Sequence, residues 1–132
     1  MRSYVGAVLV ALLLTVPTAC GSSSSYFCTG ASTSGCTKVP ANASTEAFCA
    51  AGSTFSSVEG FANGVKAAKS LAAVGTPPDI DASARAGFVE LVERMVDSKN
   101  GPDFRSRTRH LSNVEKKHLL DLDTYIGKTC QT

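Results

Sequence analysis

The sequence predicts an all-α fold: a small disulfide-stapled bundle of three to four helices behind a flexible N-terminal tether. Three observations carry this. From Ser44 onward apolar residues recur three and four apart, and no stretch alternates with period two for long. Ser-x-x-Glu occurs twice before such a run, at Ser56–Glu59 and Ser112–Glu115, which is the capping-box signature of a helix start. Five cysteines (20, 28, 36, 49 and 130) lie in a chain of 132 residues that has no Trp, so the core is thin and cross-links are expected to support it.

The first element is not part of the bundle. Arg2 is the only early charge, Ser3 to Ala19 is uncharged, and the apolar stretch from Val5 to Val16 is stopped by Pro17. A short basic start and a short apolar run read as a secretory signal peptide. A membrane-spanning helix needs about 20 apolar residues, which this stretch does not reach. Thr18-Ala19-Cys20-Gly21 then resembles the lipobox of bacterial lipoprotein precursors, with Pro17 where that family usually has an aliphatic residue. The resemblance covers about the first 21 residues. It implies that Cys20 is lipidated and becomes the N-terminus, with Ala19 the last residue removed. It also implies that the chain sits outside the cytoplasmic membrane, held by membrane lipid through Cys20. The other reading is an ordinary secreted protein with an unpaired cysteine. Gly21 to Ser25 is a flexible tether with nothing to bury.

The expected domains are residues 1–19 as signal peptide, 20–43 as lipidated cysteine, tether and irregular disulfide loop, and 44–132 as the helical domain. If Cys20 carries lipid, four cysteines remain, and export supplies the oxidising compartment in which they pair. Tyr26 to Ala43 is rich in Gly, Ser and Thr and reads as irregular, closed by a local Cys28–Cys36 bridge. Phe48, Ala51 and Phe55 give the first helix its stripe, starting near Ser44. Val58, Phe61, Val65, Ala68 and Ala72 give the second, capped by Ser56 and Glu59 and ended at Gly75-Thr76-Pro77-Pro78. Asp79 to Asp81 open a third helix, whose stripe is Ala84, Phe88, Leu91, Val92 and Met95 and whose outer face offers a Glu90–Arg94 pair. Lys99-Asn100-Gly101-Pro102 ends it, and Asp103 to Leu111 reads as a basic connector. The last helix follows Ser112, with Glu115, Leu119, Leu122, Ile126 and Cys130 on one face. A Cys49–Cys130 bridge then fastens the two ends of the bundle. The alternative pairings of the four cysteines stay open.

Phe48-Cys49-Ala50, Val74-Gly75-Thr76-Pro77 and Ala84-Arg85-Ala86-Gly87-Phe88, with Cys130, also resemble small, Ala-rich, uncharacterised lipoproteins of high-GC Gram-positive bacteria. The resemblance covers about 80 residues. It implies an all-α exported domain and no activity.

The chemistry is sparse. No nucleophile elbow, P-loop, dinucleotide fingerprint, HExxH or CxxCH occurs, and no cofactor is expected. His118 and Asp121 are three apart on one helix but lack a third metal ligand, and they read as exposed polar residues. Asn42-Ala43-Ser44 matches a glycosylation triplet and is read as chance in a bacterial lipoprotein. Removing residues 1–19 from 132 leaves 113 residues, with Arg2 lost from 13 basic residues against 11 acidic ones. A net charge near +1 argues against a nucleic-acid binder. One cluster stands out: Arg105, Arg107, Arg109, His110, Lys116, Lys117 and His118, with Glu115 the only acid among them. It reads by default as a solvated loop, and functionally as a contact for an anionic envelope partner, screened beyond roughly 8 Å at physiological salt. The expectation is therefore a non-catalytic binding or interaction module at the cell envelope. The alternatives are a small hydrolytic or redox envelope enzyme and a purely structural spacer.

Overall fold

Side-chain oxygens start four of the helices. The computed structural model describes residues 26–28 and 36–131, in the order β1 (Tyr26–Cys28), β2 (Cys36–Lys38), α1 (Thr45–Ser57), α2 (Phe61–Val74), α3 (Ala82–Asp97), α4 (Gly101–Arg109) and α5 (Asn113–Thr129). Ser44 Oγ accepts from the Ala47 N–H at 3.1 Å and caps α1. Asp81 accepts from the Ala84 N–H at 2.8 Å and caps α3. Asn100 accepts from the Asp103 N–H at 2.9 Å and caps α4. Ser112 and Glu115 form both arms of the expected capping box on α5. Each such cap contributes about 1 kcal/mol.

Three expectations need correction. The helices number five among the described residues, not three to four. The extra one is α4, which replaces the basic connector. Asn100-Gly101-Pro102 ends α3 and also starts α4, because Asn caps and Pro suits the first helical turn, where its missing N–H costs nothing. The Ser56–Glu59 box does not form. Nothing in Gly52 to Ser57 breaks α1, so Ser56 lies in its last turn and its hydroxyl donates to the Ser53 carbonyl at 3.0 Å. Gly60, at φ +82°, turns the corner into α2 instead. Finally, β1 and β2 pair antiparallel within the stretch read as irregular, with Cys28 opposite Cys36. Strands of three residues are too short to show alternation. The expected signal peptide, lipidated Cys20 and tether, together with residues 29–35, lie outside the described residues.

The core is Val39, Phe48, Ala68, Leu71, Ala72, Ala84, Phe88, Val92 and Leu122. Phe48 is its hub, with ring centroids 5.9 Å from Phe88 and 6.0 Å from Tyr125. The apolar side of α5 is centred on Leu122 with Tyr125, while Ile126, expected inside, is 37% exposed. α3 packs most extensively on α5, and α1 on α2. Where α3 meets α5, a Cβ on Gly87 would lie 2.2 Å from the His118 carbonyl oxygen, so the two backbones touch there. The Cys49–Cys130 bridge is formed, with Cα atoms 5.4 Å apart across 81 residues of sequence.

The turn after α2 anchors the segment that follows the hairpin. Gly75 caps α2 at φ +82°, and a Cβ there would lie 2.3 Å from the Pro40 carbonyl oxygen. Thr76 donates its N–H to Pro40 at 3.0 Å and accepts from the Ala43 N–H at 3.1 Å. Arg85 reaches across from α3, donating to the Val39 carbonyl at 2.7 Å, to the Pro40 carbonyl at 3.2 Å and to the Thr76 hydroxyl. Thr76 is fully buried. Its hydroxyl and the two carbonyls are thus satisfied by one planar fork, a geometry that suits Arg.

Candidate binding site

Positive charge is concentrated where α4 leads into α5. Arg105, Arg107 and Arg109 lie on α4, Lys116 and Lys117 lie early on α5, and all five are exposed. Their neighbours divide them. Arg107 Nε sits 3.3 Å from Asp103 one turn back, and Lys117 pairs with Asp121 one turn on. The Lys99 N–H holds the Asp103 carboxyl below the ordinary range, and the Arg107 charge adds to it. Arg105, Arg109 and Lys116 have no ion-pair partner among the described residues. Val114 and Leu120, 62% and 64% exposed, stand beside the lysines on the same helix. Leu120 lies one turn after Lys116 and Lys117, so apolar and cationic groups share one stretch of surface.

The Glu90–Arg94 pair expected on the outside of α3 is replaced by contacts to α5. Glu90 accepts from His118 Nδ1 at 2.7 Å, and Arg94 donates to the Glu115 carboxylate and, at 3.1 Å, to the Arg107 carbonyl. Partners across a half-buried interface are screened less than partners in solvent. His118 is therefore a half-buried cross-helix donor, not an exposed polar residue. Ser112 holds the Glu115 carboxyl below the ordinary range through its hydroxyl and backbone N–H, and Arg94 reinforces it.

Asp121 points elsewhere. Its Oδ2 accepts from both Ser83 and Lys117 at the mouth of an open cleft of about 360 Å³ between the start of α3 and α5. Lys117 first, then Ser83, hold its carboxyl below the ordinary range. The trio ties α3 to α5. Tyr125 lines the cleft and donates to Asp79 at 3.0 Å; burial, then this contact, raise its phenol. His118 and Asp121 thus serve different partners, and among the described residues no three His, Cys, Asp or Glu side chains group to hold a metal.

A second recess lies beside the disulfide. It offers about 420 Å³ between α1, α3 and α5. Phe48, Leu71 and Phe88 are buried at its base; Phe55, Leu91 and Ile126 form its half-open walls. Ser53, Ser56 and Asp123 are exposed at its rim. Gly52 lines it from the middle of α1, and a Cβ there would meet nothing within 4 Å. Glycine inside a helix costs about 1 kcal/mol relative to alanine, and no close approach requires it here.

No known family, curated protein or solved structure matches this chain.

The cationic surface was legible as a run of basic residues, though its division into paired and unpaired cations was not. The recess was missed. Its one signal is Gly52, a helix breaker inside a helix that does not break.

Proposed function

We propose that the protein is a lipid-anchored extracytoplasmic module that binds an anionic surface without catalysis. Cys20 would carry the lipid, as the resemblance to lipobox precursors implies, and the tether would let the helical domain turn toward the membrane. The observation that carries the binding reading is the exposed trio of Arg105 and Arg109, one turn apart on α4, and Lys116 early on α5 with exposed Leu120 one turn on, all three cations unpaired by acids among the described residues. A cation near an anionic bilayer contributes about 1 kcal/mol, so three contribute about a hundredfold in affinity. That is weak for a free protein and ample for one whose anchor already holds it at the surface, because the tether sets a high effective concentration. Among the described residues no helix is long and apolar enough to cross a membrane.

The test has two parts. Intact mass of protein extracted from host membranes should show an N-terminal Cys20 with an acyl-sized addition; an unmodified chain would remove the anchor. Residues 20–132 without lipid should sediment with vesicles rich in phosphatidylglycerol at low salt and be released by high salt. Arg105→Glu with Arg109→Glu and Lys116→Glu should abolish this. Retention by the triple variant would overturn the binding reading.

A further inference from the structure

The recess beside the disulfide points to a second binding activity, independent of the anchor and of the cationic surface. We infer that it holds a single hydrocarbon chain whose head donates hydrogen bonds, such as a monoacylglycerol. Three observations carry this. About 420 Å³ falls within the range of small-ligand sites. Its base and walls are apolar, with Phe48 and Phe88 only 2% and 1% exposed beneath Phe55, Leu91 and Ile126. Gly52 lines the recess without a side chain of its own, and a Cβ there would stand in open space.

The rim selects the head. Asp123 is the charged residue that lines the recess. Its carboxylate repels a fatty-acid carboxylate and accepts from a hydroxyl. Ser56 already donates its proton to the Ser53 carbonyl, which leaves its oxygen as a further acceptor. An acceptor-rich rim over an apolar slot suits glycerol hydroxyls above an acyl chain. The Cys49–Cys130 bridge stands at one wall and joins α1 to the end of α5, so the slot does not depend on apolar contact between those helices to keep its shape.

The experiment is isothermal titration of the full chain with monolauroylglycerol below its micelle concentration, beside laurate and beside the Gly52→Leu and Asp123→Asn variants. The expected result is saturable one-to-one binding of monolauroylglycerol and at least tenfold weaker binding of laurate. Gly52→Leu should lower affinity at least tenfold while its melting temperature does not fall, since leucine fills open space and favours helix. Asp123→Asn should narrow the preference against laurate. Absence of saturable binding would overturn the inference. So would equal binding by Gly52→Leu, because that would place the lipid elsewhere, for example on the apolar segment before Cys20.

Discussion

Two glycines decide how closely this chain packs. At Gly87 the α3 backbone lies against the His118 carbonyl, and at Gly75 the turn lies against Pro40. Neither contact leaves room for a methyl group, and the obstructing atoms are backbone, which cannot swing aside. Gly87→Ala is expected to destabilise the fold by about 3 kcal/mol, the upper part of the range for overpacking. Urea unfolding measures it, and a loss below about 1 kcal/mol would show that α3 and α5 separate more easily than their contact suggests. Arg85 belongs to the same group. Its fork satisfies a buried hydroxyl and two carbonyls at once, which a lysine ammonium on a flexible stem cannot reproduce. The Gly75-Thr76-Pro77 turn and the Arg85-to-Phe88 stretch, which carried the resemblance to small lipoproteins, therefore hold the fold together.

Among the elements, α4 depends most on its ends. None of its residues is buried, so it is held by the Asn100 cap, the Asp103–Arg107 pair and the Arg94 bond to the Arg107 carbonyl. Acid should weaken this region and the α3–α5 interface together. Asp103, Glu115 and Asp121 all have carboxyls lowered by their partners in the folded state. Lowered carboxyls contribute stability that is present above the unfolded value, near 4, and lost as pH falls through the folded values. Urea midpoints should therefore hold from pH 7 to about pH 5 and fall below about pH 4. Glu115→Gln should give a shallower fall, because its capping box and its Arg94 contact no longer titrate. An unchanged slope would mean these partners are loose in solution. The sequence showed α5 and its box plainly, because Ser112 and Glu115 stand immediately before an apolar period. It concealed α4, because a helix with no buried face has no apolar period to read.

For the whole molecule, the disulfide is the longest-range constraint. It closes 81 residues of sequence, and in the chain-entropy picture such a loop contributes on the order of 4 to 5 kcal/mol. A domain this small has a total stability of about 5 to 15 kcal/mol. Cys49→Ser with Cys130→Ser should therefore lower the melting temperature by more than about 15 °C, read by circular dichroism. A drop of only a few degrees would place the stability in the helix contacts alone.

The sequence by itself determined the helical class, most helix boundaries, the Cys49–Cys130 pairing as a candidate and the basic run at 105–117. Caps, periods and charge are local, and local patterns survive in one dimension. Only the tertiary structure decided which cations stay unpaired, that Glu90 and Arg94 face α5, that Gly87 seats one backbone on another, and that Gly52 opens onto a recess. Each of these depends on what a second helix brings within a few ångströms, and spacing along one chain does not encode that distance.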